Sequence, residues 1–265
     1  VLVKKEDFDY ALEKRVFDKV IVLEENGMLF SLCKNAHDKY CIFPRVSLLE
    51  YVPYREAIII DTDVLCTYDT DSVWETFRDK GQPFNCVGNY HDESFHWNKI
   101  SDINKRLGFN VNCAHGGIFY LNKNFGERDL ETFFLHMLYS FINYDNLGFT
   151  RGFDSREAKK GSMTDEIMIG YAMSKMGYTL LDFSIYPIMT FEIEGYLIDE
   201  MTLPNKVQSY KWFTLYWEQF NKDKPFIMKD PIPFIHVFGQ GFQKTASLTK
   251  LNKSIREYAS SRNND

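Results

Sequence analysis

No two of the five cysteines, at positions 33, 41, 66, 86 and 113, stand in a CxxC pair. Their odd number and wide scatter exclude a disulfide framework and a cysteine-based zinc site, and fit reduced thiols. There is no signal-peptide pattern and no apolar run of about 18 residues, so a soluble, cytoplasmic chain without a transmembrane segment is expected. Positive charge is also short. A formal charge of −6 and a pI near 5.6 exclude broad nucleic-acid binding, which needs a basic face. Internal repeats, low-complexity segments and linkers are missing, which points to one domain over residues 1–246 and a polar, basic peripheral tail over 247–265. Oligomeric state has no signature in the sequence. What the chain does have is bulk: 265 residues, 45% hydrophobic and 16% aromatic, suffice for a large, well-filled core.

Taken in order, residues 1–3 read as a short strand, 8–16 as a helix and 19–23 (KVIVL) as a buried strand, a β-α-β opening. The chain begins inside the first of these, which leaves a preceding strand open. Residues 24–40 are polar and read as irregular. Pro44 suits a helix start, with Val46, Leu49, Tyr51 and Val52 facing inward. Asp71 or Ser72 suits the N-cap of a helix through Phe77. Residues 85–88 read as a short strand, and 90–113 as a long polar and aromatic loop of the kind that is usually functional or mobile. Residues 117–121 (GIFYL) form a strand led in by His115, Gly116 and Gly117. Leu130, Phe133, Phe134, Met137, Leu138 and Phe141 recur at three- and four-residue steps, an amphipathic helix whose stripe is core. A charged loop over 145–162 precedes a helix from Thr164, its N-cap, to about Met176. Short strands at 180–181 and 183–188, an aromatic-rich helix over 208–220 and an apolar segment over 231–238 (PIPFIHVF) complete an α/β pattern.

The chemistry centres on residues 57–65, AIIIDTDVL. Four apolar residues in a row read as a strand buried on both faces, as in the middle of a parallel sheet. In open α/β sheets ligands bind at the carboxyl ends of strands, where Asp61 and Asp63 stand. Two carboxylates there are costly to bury unpaired, and a divalent cation with a taste for hard oxygen ligands, Mg²⁺ or Mn²⁺, is the natural partner. The plain alternative is a strand end with two solvated aspartates.

Four segments together resemble the GT-A glycosyltransferases, most closely the family 8 group that includes glycogenin and bacterial galactosyltransferases. PRVSLLEYVPYREAIIIDTDVL (44–65) is similar to that family's helix, strand and DxD motif. HGGIFYLNK (115–123) is similar to the strand lining the donor sugar, TDEIMIG (164–170) to the helix start beneath it, and HVFGQGFQK (236–244) to the C-terminal histidine–glycine–lysine motif. Order and rough spacing agree over about residues 40–245. The resemblance implies a GT-A, Rossmann-like mixed sheet flanked by helices. It also implies a metal-dependent transfer from a nucleotide-diphosphate sugar, with UDP as the nucleotide and retention as the stereochemical course, to a glycan, protein or small-molecule acceptor.

By the same resemblance Asp61, Asp63 and His236 hold Mn²⁺ or Mg²⁺, which would stabilise the departing diphosphate electrostatically. Asp61 also meets the ribose, and Arg45 is directed at the nucleotide. Gly116 and Gly117 keep the sugar's bed free of side chains, with His115 where the family has serine or asparagine. Gly239 lets the backbone approach phosphate, and Lys244 neutralises it as a point charge. That lysine stands eight residues after the histidine rather than six, and the family's KPW ending is absent. Asp165 binds sugar or acceptor hydroxyls. Glu166 replaces an amide under the anomeric carbon, where a carboxylate could support an oxocarbenium-like transition state, a covalent intermediate or a base-assisted inversion. Blander readings stand beside these: a satisfied core histidine at 236, a loop histidine at 115, an exposed arginine at 45, a solvated lysine at 244, and two acids that suit a helix dipole. Aromatics over 90–97 and 212–217 are candidate acceptor-stacking groups. Two alternatives remain: a degenerate GT-A domain acting as a sugar-nucleotide or protein-binding module, and, more remotely, a Mg²⁺-dependent haloacid-dehalogenase-type phosphatase, whose motif is broken here by Leu65.

Overall fold

The computed structural model describes residues 1–15, 17–61, 64–66, 70–89, 94–95, 98–152, 161–182, 188–192 and 234–238. The chain opens with β1 (Leu2–Val3), α1 (Phe8–Glu13) and β2 (Ile21–Val22), and β1 pairs in parallel with β2, the expected β-α-β opening. Residues 24–40, expected to be irregular, instead carry α2 (Gly27–Ser31) and the start of a π-helical turn, Asp38–Ile42. Contacts rather than local propensity explain this. The Asn35 side chain accepts the Asp38 N–H at 2.8 Å, and Phe30 packs edge-on against Phe43 at 5.5 Å. Pro44 lies in the first turn of α3 (Phe43–Val46), and α4 (Leu48–Tyr51) follows.

Next come β3 (Glu56–Ile60), β4 (Val64–Cys66), α5 (Asp71–Asp79) and β5 (Phe84–Asn89); Thr70 rather than Asp71 or Ser72 occupies the N-cap position of α5, without a side-chain cap bond. The expected loop over 90–113 is corrected: it contains a small hairpin of β6 (Ser94–Phe95) and β7 (Asn98–Lys99), then α6 (Ile100–Leu107). That helix buries only Ile100 and Ile103, too few apolar positions to stand out of a polar window, and it ends at Gly108 with φ 75°, a left-handed cap. The remaining elements are β8 (Cys113–Asn122), α7 (Glu127–Ile142), α8 (Asp165–Met176), β9 (Leu181–Asp182), β10 (Ile188–Glu192) and β11 (Phe234–Phe238).

The sheets are mixed, as expected. One runs β3-β8-β5-β9 and another β10-β11-β4. Hydrogen bonds from Asp61 N–H to Gly117 O (3.0 Å) and from Lys123 N–H to Arg55 O (2.7 Å) bracket β3 and β8 with opposite numbering senses, so this pair is antiparallel. β5 and β9 are parallel. The isoleucine strand therefore differs from its expectation. Among the described residues β3 is an edge strand, half-buried, with Ile60 43% exposed. β8 is buried along its whole length, as β5 is over residues 84–88, and His115, Gly116 and Gly117 lie inside β8 rather than in a preceding loop.

The chain forms two compact units. The first comprises Val1–Ala57, Asn89–Gly116 and Leu121–Thr179. Its core joins Leu130, Phe133, Phe134, Met137 and Phe141 of α7 to Ile167, Met168, Ala172 and Met173 of α8, and each such side chain stabilises by roughly 1.5–3 kcal/mol when fully buried. The second comprises Ile58–Gly88, Gly117–Tyr120 and Leu180–Asp265. Its core is aromatic: Phe119 stacks on Phe84 at 5.4 Å, and Tyr120 stacks on Phe77 at 5.3 Å. Among the described residues no helix is long and apolar enough to cross a membrane.

Candidate functional site

In the first unit, α8 owes its position to Gly170. A β-carbon there would fall on the Asn112 carbonyl oxygen and within 3.0 Å of its carbon, so the helix approaches the lead-in to β8 at a distance only glycine permits. Asn112 also donates its N–H to Ser174 Oγ at 2.9 Å and its side-chain amide to the Tyr178 carbonyl at 3.0 Å. With the helix fixed at Asn112, its first turn meets the strand four residues on, at Gly116.

Both backbone groups of Gly116 are taken by side chains. Its N–H donates to Glu166 Oε1 at 2.8 Å, and its carbonyl accepts from Arg45 Nη1 at 2.9 Å. Arg45 Nη1 also forms an ion pair with Asp165 Oδ2. The Arg45 and Asp165 side chains are 17% and 14% exposed, so the pair is largely removed from water, where charge-assisted bonds strengthen. A β-carbon on Gly116 would lie 2.5 Å from Arg45 Nη1, 2.6 Å from Asp165 Oδ2 and 2.9 Å from Glu166 Cγ. The glycine is therefore what lets one arginine and two carboxylates close on a single peptide. His115, the preceding residue, is 4% exposed. Of the residues expected to act, Arg45, Gly116, Asp165 and Glu166 are brought together here, with Arg45 half-buried rather than simply exposed.

A second layer holds this turn from behind. The fully buried Asp38 carboxylate accepts the Met163 N–H at 3.0 Å on Oδ1 and faces Arg151 Nη1 at 3.4 Å on Oδ2. Arg151 forks onto Asp145 at 2.8 and 3.2 Å, and Lys34 approaches the same carboxylate at 3.1 Å. Hydrogen bonding from Arg151 holds the Asp145 carboxyl below the usual range, against the opposing effect of burial. The buried Tyr144 hydroxyl lies 3.2 Å from the Thr164 N–H, which it accepts, and 3.1 Å from Thr164 Oγ1; burial pushes its ionisation up. Thr164 occupies the expected N-cap with an extended backbone, but its hydroxyl is engaged with Tyr144 and makes no cap bond. No feature of the sequence around Asp38, Tyr144 or Arg151 signals these roles.

In the second unit, Asp61 follows the last residue of β3, and its carbonyl accepts the Val64 N–H at 3.0 Å. β4 then pairs antiparallel with β11, and the register sets His236 opposite Val64, the residue that follows Asp63. Asp63, Gly239 and Lys244 lie outside the described residues, as do the aromatics of 90–93, 96–97 and 212–217. The described residues include no cluster of three His, Cys, Asp or Glu suited to a metal. An Asp/Asp/His donor set would fit Mn²⁺ or Mg²⁺ chemically.

No protein-family model and no curated protein matches the sequence. Several solved structures are similar to it, among them the following two. Mouse xyloside xylosyltransferase 1, in its apo form, shares 12% identity at a TM-score of 0.46, with 89% of this chain and 82% of that one covered. An active-site mutant of LgtC shares 12% identity at a TM-score of 0.45, covering 98% and 94%. Likenesses at this level carry no residue-by-residue correspondence.

Proposed function

We propose that the chain is a metal-dependent GT-A glycosyltransferase over residues 1–246, of the family 8 type. In this reading it moves a sugar from a nucleotide-diphosphate donor, with UDP as the nucleotide, to a glycan, protein or small acceptor with retention. The observation that supports the reading is the β4–β11 register, which pairs His236 with Val64, the residue after the DTD motif, across about 170 residues of chain. Two solvated aspartates at a strand end would need no such partner.

Asp61, Asp63 and His236 would hold Mn²⁺ or Mg²⁺, which supplies positive charge to the diphosphate leaving group as its bond to the sugar breaks. Arg45 directs the donor and also fixes Asp165, the residue that binds sugar hydroxyls. Glu166 lies under the anomeric carbon and is oriented by its bond to the Gly116 N–H. Gly117 and His115 line the same strand, and Gly239 with Lys244 receives the diphosphate. A carboxylate held on a backbone amide needs no reorganisation to face developing positive charge, the feature that makes fixed electrostatics effective in catalysis.

The test is thermal unfolding of wild type and Asp63→Ala against a panel of nucleotide sugars, with and without Mn²⁺. Stabilisation of wild type by one nucleotide sugar only in the presence of metal, absent in Asp63→Ala, is expected from ligand linkage. Transfer assays with that donor should then find Asp63→Ala folded and inactive. Activity retained by Asp63→Ala with Mn²⁺ refutes the metal role. Metal-dependent binding with neither transfer nor hydrolysis favours the binding-module alternative.

A further inference from the structure

We infer that Asp38 and Tyr144 are positioning residues for the Asp165–Glu166 turn, clamping the backbone of Met163 and Thr164 just ahead of it. The inference rests on the transferase reading for its function, and on geometry alone for its existence.

The first turn of a helix presents N–H groups with no intrahelical partner, and such turns fray unless capped. Here the usual cap is missing, because the Thr164 hydroxyl turns to Tyr144. The backbone leading into the turn is instead held from three places in the chain. Asp38 receives the Met163 N–H, Tyr144 receives the Thr164 N–H, and Gly152 and Ser162 exchange both backbone bonds at 2.8 and 3.1 Å. Consecutive residues 162, 163 and 164 are thus each fastened to a different segment. Asp38 is the costliest of the three to place there, since a fully buried carboxylate requires compensation. Arg151 supplies it, and is held in turn by Asp145 and by stacking over the Tyr144 ring at 5.4 Å. A purely structural loop would be served by neutral groups. A charged, buried clamp that ends one residue before the two candidate acids fits a turn that must not move when a donor arrives.

Amide hydrogen exchange in the full chain tests this without any ligand. In Tyr144→Phe, and in Asp38→Asn if it folds, exchange at Met163 and Thr164 should rise at least tenfold. A peptide covering the middle of α7, residues 130–138, should be unchanged. Equal exchange at 163–164 in wild type and Tyr144→Phe overturns the clamp, and so does an equal rise in both peptides. Once a donor is known, Tyr144→Phe should lower kcat at least tenfold while the donor KM moves less than threefold. An unchanged kcat overturns the positioning role. Failure of the transferase reading shows separately, as wild type with a slow-exchanging 163–164 and no metal-dependent response to nucleotide sugars.

Discussion

Replacing Gly170 with alanine should destabilise the protein, although helix propensity favours the change by about 1 kcal/mol. The added carbon would sit on the Asn112 carbonyl oxygen, within 3.0 Å of the Asn112 carbon and 3.5 Å of Val111 Cγ1. The first two are backbone atoms, and cannot swing aside as a side chain would. Ordinary carbon–oxygen contact begins near about 3.3 Å, so α8 has to retreat from Asn112 by an ångström or more. A radial gap of roughly 0.5–1 Å forfeits a quarter to a half of each dispersion contact, and here it opens along Ile167, Met173 and their partners on α7. It also stretches the bonds from Asn112 to Ser174 and Tyr178. Overpacking of this kind costs about 1–3 kcal/mol, and against rigid backbone the upper end applies; less the propensity gain, a net loss of about 1–2 kcal/mol lowers Tm by roughly 2–8 °C in a chain of this size. Thermal unfolding followed by circular dichroism reads this directly. Gly177→Ala is the comparison: that residue has φ 67° and open space around it, so its cost is backbone strain, and Gly177→Asn should recover part of it. A Tm for Gly170→Ala equal to or above wild type refutes the docking of α8 on Asn112, and with it the placement of Asp165 and Glu166 at Gly116.

Gly116→Ala crowds side chains rather than backbone, the ends of Arg45 and Asp165 and Cγ of Glu166; Tm should fall by less than about 5 °C, while transfer measured with the identified donor falls at least about tenfold. The Asp145 carboxyl is held low by Arg151, so its contribution is present above the unfolded pKa, near 4, and is lost as pH falls through the lowered value. Asp145→Asn should therefore melt slightly below wild type at pH 7, by at most about 2 °C for so exposed a group, and the gap should close below about pH 4. Burial, reinforced by Asp38, pushes the Cys33 thiol up to about 11, whereas Cys41 is exposed. Alkylation at pH 8, mapped by mass spectrometry, should label Cys41 at least about a hundredfold faster than Cys33; equal rates contradict the burial of Cys33.

The elements legible in the sequence are those whose signal is local. The stripe of α7 repeats at helical spacing over twelve residues, and five of its six positions are buried, with Leu138 half-buried. Thr164 marks the start of α8 because polar loop gives way there to an apolar run. By contrast, α6 buries two isoleucines in a polar window and α2 buries none, so neither has a period to read. The isoleucines of β3 misled for a related reason. A continuous apolar run says that a strand is fit to be buried, and not which strand takes the centre. β8 takes it instead, with two glycines and a histidine in its own run, because its neighbours cover it on both sides.

The same distinction between local and distant signals decides what could be known of the site. Arg45, Gly116, Asp165 and Glu166 were each visible as members of short motifs, but their convergence depends on a pair separated by 120 residues. Asp38 carries no motif, and its bond to Met163 spans 125 residues. Each partner, seen alone, has an ordinary explanation: an acid in a polar stretch, a tyrosine after a helix, an arginine in a charged loop. What makes them unusual is burial, since a carboxylate at zero exposure must be matched by donors. A charge shut away from water is thus the one feature of this site that could not be read without the fold. It also makes the clamp behind α8 a sharper test of the whole arrangement than the acids in front of it, which would be tolerated at a helix start on dipole grounds alone.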